Sequence, residues 1–279
     1  MTLSDLTLRN ADVGTRCAAA AAAGFTGIGL SVEHYRAALK DHSTPADISA
    51  VVTEHGLQVD EVELAAHWAD PAAYSEDELE SDRLVVRMAA ELGATRIHTA
   101  MSQQFPFGTL ARGLRELCYR AADSGAVVAL EYMPYAAIDS ATSAWKLIEA
   151  SGADNAGLLI DAWHWQRAHT ADEPVPASSH SAGAGGGDPI VRHPARTVVR
   201  PSPRGAALSP AARSRWAALI PMLRRLARHG VRAPIAVEVV SDELDAQDPY
   251  VTARQAYASS RRVLRDSGWP VSSPRRSVR

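Results

Sequence analysis

Three acidic residues follow apolar runs in the segments VVALEYM, GLLID and PIAVEVVS. They are Glu131, Asp161 and Glu238, and His164 comes three residues after Asp161. A carboxylate among apolar neighbours is costly to bury unless it is paired or binds a metal. Oxygen ligands favour Mg²⁺ or Mn²⁺, and an added His also suits Co²⁺ or Zn²⁺. The pattern therefore predicts a site for a divalent cation. The alternatives are that each acid pairs with an Arg or caps the next helix, and that His164 is an exposed loop residue.

Other polar and aromatic residues stand near the ends of predicted strands. They are Glu63 in DEVEL and His98 in TRIHTAM, which could line a pocket or pack in the core. Trp68, Trp163 and Trp165 fall just beyond strand ends, where aromatic rings often form the wall of a sugar pocket. Ordinary packing beneath loops is the alternative for these three rings.

The elements that position these residues repeat along the chain. An amphipathic helix, a glycine and a short β-branched strand recur roughly every 30 residues, which is typical of βα units. Glycine suits the helix ends because a left-handed backbone costs it little. The last interval is about twice as long, which indicates one hidden unit. With the N-terminal strand in Thr2–Leu8, the count of strands reaches eight and predicts a TIM (β/α)8 barrel in an α/β protein. The repeated glycines are Gly24, Gly56, Gly93, Gly125, Gly152 and Gly230. A doubly wound open sheet would need a Gly-rich phosphate turn after an early strand, and the sequence has none.

The hidden unit falls in a segment of unusual composition, Pro174–Ala206. It is rich in Gly, Ala, Ser, Pro and Arg and holds no aromatic residue, so it cannot bury enough apolar surface to offset its ordering entropy. We therefore expect a degraded or disordered βα unit without a regular strand, within a single domain of residues 1–279 that ends in a short disordered tail from about residue 270. A mobile lid with basic residues and a local reading-frame error are the alternatives.

Composition narrows the class of protein. The net charge of −3 argues against a general binder of nucleic acid or membrane surfaces. Cys17 and Cys118 sit among apolar neighbours without CxxC spacing, which predicts reduced core thiols rather than a disulfide or a nucleophile. The first residues lack the pattern of a signal peptide, and the longest apolar run is too short to cross a bilayer. We expect a cytoplasmic protein.

The motifs ALEYMP, GLLIDAWHW and IAVEVVSDEL, in this order, resemble the xylose-isomerase-like TIM-barrel family of sugar (phosphate) isomerases and epimerases. The early segment AAAAGFTGIGLSVEHY resembles that family's first helix–strand unit. The resemblance implies that Glu131, Asp161 and Glu238 bind the metal and that His164 contacts substrate. The family's fourth ligand, a His or Gln on the strand between those of Asp161 and Glu238, would fall in Pro174–Ala206. The nearest histidines there are His180 and His193.

The resemblance also implies a reaction. A divalent metal would hold a keto-sugar or related polyol ketone, and Glu131 and Glu238 would move its proton through an enediolate, with His164 assisting. The resemblance implies a small sugar or polyol as the binding partner. It is also compatible with a homo-oligomer. Three alternatives stay open. They are an impaired barrel that binds a small ligand, a metal-dependent dehydratase, and a phosphodiesterase of the endonuclease-IV type, which would need more histidines and a basic face.

Overall fold

A parallel sheet of eight short strands forms the centre of the molecule. The computed structural model describes residues 1–41, 44–168, 197–200, 210–228 and 230–270, with the backbone alone for 197–200 and 210–218. The strands are β1 Thr2–Leu3, β2 Gly27–Ser31, β3 Val59–Ala65, β4 Arg96–Thr99, β5 Val127–Glu131, β6 Ala156–Asp161, β7 Thr197–Arg200 and β8 Ala236–Val237. Their order in the sheet is β7-β6-β5-β4-β3-β2-β1-β8, and Cα atoms of the two outermost strands approach within 8 Å. The sheet thus curls round, which confirms the predicted TIM-barrel-like fold.

Helices alternate with the strands. They are α1 Val13–Ala23, α2 Val32–Asp41, α3 Pro45–Glu54, α4 Glu76–Leu92, α5 Phe107–Ala121, α6 Ala141–Ser151, α7 Ala162–Arg167, α8 Pro210–Arg228, α9 Asp242–Asp245 and α10 Pro249–Ser267, with 3₁₀ turns at Asp5–Leu8, Pro71–Ala73 and Ala122–Ser124. The predicted helix–glycine–strand pattern has its expected cause at Gly24. Its φ of 101° ends α1, and its N–H donates to the carbonyls of Ala20 and Ala21.

The strands are buried on both faces, as parallel strands covered by helices must be. Every residue of β6 is buried, for example, including Asp161 at its end. Cys17 and Cys118 are buried and form no disulfide, as predicted. Burial also raises the pKa of the Cys17 thiol to about 11, which disfavours the nucleophilic thiolate. No described helix combines the length and apolar character that crossing a membrane requires.

The expectation that Pro174–Ala206 holds no regular strand is wrong for four residues. Thr197–Arg200 forms β7 and pairs in parallel with β6, with Asp161 opposite Arg200. The physical reason is local. Thr-Val-Val is a β-branched run, which favours a strand, and each residue of Thr197–Arg200 finds a partner on β6. Averaging composition over the whole segment hid this short run. The rest of the segment, including His180 and His193, lies outside the described residues, as does the chain beyond residue 270.

Two glycines of α5 give a test of this packing. A Cβ at Gly113 would lie 2.8 Å from the backbone Cα of Ala69, in the loop after β3, whereas one at Gly108 would meet nothing within 4 Å. Overpacking costs about 1–3 kcal/mol, and Gly→Ala in a helix returns at most about 1 kcal/mol. We expect Gly113→Ala to lower the free energy of unfolding by about 1–2 kcal/mol. The matched control Gly108→Ala should leave it unchanged or slightly raised. Urea unfolding measures both, and equal stability of the two variants would contradict the close approach of α5 to this loop.

Candidate active site

The predicted site residues lie at the carboxyl ends of the strands, where barrel active sites occur. Glu131 ends β5, Asp161 ends β6 and Glu238 directly follows β8. Their exposed fractions are 8%, 2% and 4%, and that of His164 is 3%. Glu131, His164 and Glu238 line one cavity of about 360 Å³. The structure therefore brings these three side chains together from the ends of the adjacent strands β5 and β6 and of β8, which is not next to either of them in the sheet order.

Asp161 ends β6 and also caps the helix that follows it. Its Oδ1 accepts hydrogen bonds from the backbone N–H groups of Trp163 and His164, at 2.8 and 2.9 Å, so it caps the short helix α7. The helical turn places His164 back beside the strand end, because residues three apart lie on the same side of a helix. His164 Nε2 lies 3.7 Å from Glu131 Oε1. The spacing Asp-x-x-His thus converts a strand end into a compact pair of polar groups.

One group of side chains in the described part of the chain fits a metal ion. Ligand atoms of Glu131, Asp161 and His164 all lie within 4.8 Å of one another, and all three residues are buried. Two carboxylates and one imidazole suit Mn²⁺ or Mg²⁺, and the imidazole extends the range to Co²⁺ and Zn²⁺. The structure thus brings two of the three predicted ligands together with His164, which was expected to contact substrate. Glu238, the third, lies on the wall of the same cavity.

The strand between β6 and β8 is β7, where the sequence analysis expects a fourth ligand. Thr197–Arg200 contains neither His nor Gln. Arg200 stands at its carboxyl end, in register with Asp161. The described part of β7 therefore supplies no residue of the expected type.

Glu63 and His98 also line the cavity, one of the two positions considered for them. His98 Nδ1 lies 2.9 Å from Glu63 Oε2, and His98 Nε2 lies 2.8 Å from Glu131 Oε2. The imidazole therefore joins two carboxylates across β3, β4 and β5. The sequence placed both residues near strand ends but gave no sign of this bridge.

The tryptophans take different positions. Trp68 is buried, and its Nε1 donates to the carbonyl of Ala100 at 3.2 Å, which is ordinary packing. Trp165 is partly buried against the core. Trp163 lies next to the site: its ring centroid is 4.9 Å from that of His164, and the Arg167 guanidinium stacks over it at 3.7 Å.

The 3₁₀ turn after β1 holds Glu238 in place, which sequence reasoning missed. Ser4 Oγ donates to Glu238 Oε2 at 3.2 Å. The Thr7 hydroxyl donates to the carbonyl of Val237 and accepts from the N–H of Val239, at 2.9 and 3.0 Å. It thus satisfies the backbone on both sides of Glu238, where the two-residue strand β8 has ended.

The same turn is anchored by a buried ion pair. Arg16 is fully buried, and its guanidinium contacts the Asp5 carboxylate at 3.0 Å. His34 Nδ1 lies 2.7 Å from the other oxygen of Asp5. This hydrogen bond to Asp5 raises the pKa of His34 above its ordinary value, against the opposing effect of partial burial.

Comparison with known proteins shows similarity over most of this chain. A family model described as xylose isomerase-like TIM barrel matches residues 17–266. A solved structure of a xylose isomerase domain containing protein from Salmonella typhimurium LT2 superposes with a TM-score of 0.73 at 14% identity, over 94% of this chain and 96% of that chain. L-ribulose 3-epimerase gives a TM-score of 0.66 at 16% identity, over 96% and 95%. The IolI protein with a bound zinc atom gives 0.68 at 13% identity, over 94% and 97%. No curated protein matches the sequence.

The raised pKa of His34 predicts a pH-dependent stability. Because the folded-state pKa exceeds the unfolded value of about 6.5, the His34–Asp5 contribution is fully present below about pH 6.5 and is lost as the pH rises through the folded-state pKa. Urea unfolding of the wild type and His34→Gln from pH 5.5 to 9 should therefore show a stability difference that shrinks with rising pH. The control is His55→Gln, since His55 bonds only to a backbone carbonyl among the contacts seen here, that of Val51. A difference that grows with pH would contradict the assigned cause.

Proposed function

On the premise that this chain belongs to the xylose isomerase-like TIM-barrel family, we propose that it is a divalent-metal-dependent isomerase or epimerase of a keto-sugar or related polyol ketone. One observation carries the proposal: Glu131 and Glu238 line the same small cavity from strands that are not adjacent, with Asp161 and His164 beside Glu131. Two separate carboxylates next to a cation site are what proton transfer at a carbon beside a carbonyl requires.

The residues present fit a metal ion. Glu131 and Asp161 would hold it together with Glu238, which lines the same cavity, and His164 lies beside the first two. A divalent cation there would act as a Lewis acid that stabilises negative charge developing on a carbonyl oxygen. Burial of the three carboxylates favours its binding, since a cation lowers the cost of keeping several negative charges out of water.

Glu131 and Glu238 would move the proton. One carboxylate removes the proton from the carbon next to the carbonyl, which leaves an enediolate, and a carboxylic acid then returns a proton to the same or the adjacent carbon. Return to the same carbon from the other face gives an epimer. Return to the former carbonyl carbon, with transfer of the hydroxyl proton to the former carbonyl oxygen, gives an isomer. His164, buried beside Glu131, would orient a substrate hydroxyl.

The cavity favours a neutral substrate. About 360 Å³ lies within the range of small-molecule sites. Glu63, Glu131 and Glu238 line it. Their negative charges would repel a phosphate dianion that entered the cavity. Leu6 and Leu64 lie on the same wall and can pack against the C–H groups of a sugar ring. We therefore propose an unphosphorylated sugar or polyol ketone.

A second candidate is a barrel that binds such a ligand without converting it. It is favoured by β7, where Arg200 stands in register with Asp161 and neither His nor Gln occurs among the four residues. Arginine is not a ligand for a divalent ion, so this strand position would contribute none to the cluster. Dehydration of a β-hydroxy ketone would begin with the same proton removal. Identification of the product therefore distinguishes dehydration from epimerisation.

Metal titration tests the site itself. Asp161→Asn should weaken Mn²⁺ binding strongly, because it removes a charge from the buried group while preserving shape. Because His164 would contact substrate rather than the metal, His164→Ala should cost metal affinity no more than roughly 10–100-fold but should depress turnover further. The control Asp123→Asn makes the same charge change before β5, at the opposite end of that strand from Glu131. Calorimetry gives the affinities; equal Mn²⁺ affinity of Asp161→Asn and the wild type would exclude Asp161 as a ligand.

Proton exchange tests the chemistry. Purified protein with Mn²⁺ in D₂O should incorporate deuterium next to the carbonyl of a keto-hexose or an inosose-type ketone, measured by NMR. Glu131→Gln and Glu238→Gln should each lower turnover by about 10²–10⁴-fold, since each removes a proton-transfer group. Glu243→Gln, an exposed neutral substitution in α9, is the control. Undiminished deuterium exchange in both site variants would overturn the assignment, and no exchange by metal-loaded wild type on any ketone would favour the ligand-binding barrel.

A further inference from the structure

We infer that His98 is a positioning residue that fixes the carboxylate of Glu131, and that Glu63 acts on Glu131 through His98. This inference rests on the proposed function, in which Glu131 binds metal and moves a proton. It adds two residues to the machinery, and they come from β3 and β4, strands to which the family resemblance assigns no site residue.

The three side chains form a continuous buried row. Their exposed fractions are 4% for Glu63, 4% for His98 and 8% for Glu131. The two hydrogen bonds measure 2.9 and 2.8 Å and leave from opposite nitrogens of the ring. A histidine that merely fills the core usually bonds to backbone or water, but each nitrogen of His98 bonds a carboxylate.

The backbone is built to aim Glu63 at this row. Val62 pairs with Ile97, but Ala65 pairs with Thr99, so β3 carries one extra residue here relative to β4. Such a bulge re-aims a side chain that regular alternation would direct elsewhere, and bulges concentrate next to active sites. On the other side, the regular β4–β5 ladder sets His98 opposite Ala129, two residues before Glu131.

The two bonds fix the imidazole ring. Each ring nitrogen lies within hydrogen-bond distance of a carboxylate oxygen, so the ring is held from both sides. Rotation of the ring about its bond to the backbone would break both bonds together. Glu63 holds the nitrogen on the far side of the ring from Glu131, and it therefore acts on Glu131 through the ring.

The fixed ring in turn sets the carboxylate. His98 holds Oε2 of Glu131, while Oε1 lies on the side of His164, 3.7 Å from Nε2. The two oxygens thus face different strands, Oε2 towards β4 and Oε1 towards the group that fits a metal. Rotation of the carboxylate would exchange these positions and disturb the geometry of the cation group. Because His98 acts through Glu131, it is a positioning residue rather than a catalytic one.

A pair of near-isosteric variants tests the assignment. In His98→Gln the side-chain amide nitrogen can take the place of Nε2 and keep the bond to Glu131. In His98→Asn it can replace Nδ1 and keep only the bond to Glu63. We expect His98→Gln to retain Mn²⁺ affinity and kcat within a few-fold, and His98→Asn to lose roughly 10–100-fold in each, with little change in KM. His67→Gln is the matched control, since His67 also bonds a carboxylate, Asp82 at 3.2 Å, just beyond β3.

The double variant tests the role of Glu63. Glu63→Gln alone should lower kcat, but it should add no further loss in the His98→Asn background, because the path to Glu131 is already broken. Equal losses in His98→Gln and His98→Asn, or losses of Glu63→Gln and His98→Asn that multiply, would overturn the inference. Thermal unfolding of each variant shows whether it is folded.

A failure of the proposed function is distinguishable from a failure of this inference. If the wild type neither binds Mn²⁺ nor exchanges substrate protons, the proposed function fails. Crystal structures of the two His98 variants then decide the positioning role. The Glu131 carboxylate should keep its wild-type orientation in His98→Gln and leave it in His98→Asn. One orientation in both structures would overturn the inference.

Discussion

Removing ionised carboxylates from water is the constraint on which the rest of this structure depends. Glu131, Asp161 and Glu238 are each at least nine-tenths buried at one end of the barrel. Such groups are costly unless hydrogen bonds or opposite charges replace the lost water. Each receives a different replacement: an imidazole for Glu131, the backbone N–H groups of α7 for Asp161, and the Ser4 hydroxyl for Glu238. The local structure around the mouth is largely the set of elements that supply these donors.

The opposite end of the barrel meets the same constraint differently. Glu61 is almost fully buried there, and the Arg96 guanidinium lies 3.6 Å from its carboxylate. Arg96 also donates to Thr2, so the charge is balanced by residues of the strands themselves. Among the described groups at the mouth, those that contact the three acids there are a hydroxyl, backbone N–H groups and imidazoles rather than a guanidinium. The two ends thus separate stability from chemistry, as barrels of this type commonly do.

The sequence predicted this site as far as its signals were local. Acids at the ends of apolar runs, and a His one helical turn after Asp161, are visible along the chain. The bridge made by His98 was not, because it depends on a bulge in β3 and on lateral pairing of strands more than 30 residues apart. Ser4 and Thr7 gave no signal, since a hydroxyl in a turn resembles any other polar turn residue. β7 was missed because a four-residue strand disappears in the average composition of a long polar segment.

The hydroxyl of Thr7 ties together parts of the chain made at very different times. Ser4 bonds to a residue 234 positions later, and Thr7 bridges the backbone beside it. During synthesis, Glu131 and Asp161 leave the ribosome long before Glu238 does. A nascent chain can therefore bring Glu131, Asp161 and His164 together on an unfinished sheet, before Glu238 has been made. Contacts of such long sequence separation form late and slowly. Glu238 therefore arrives together with β8, the strand that pairs with β1 and covers that otherwise open edge of the sheet.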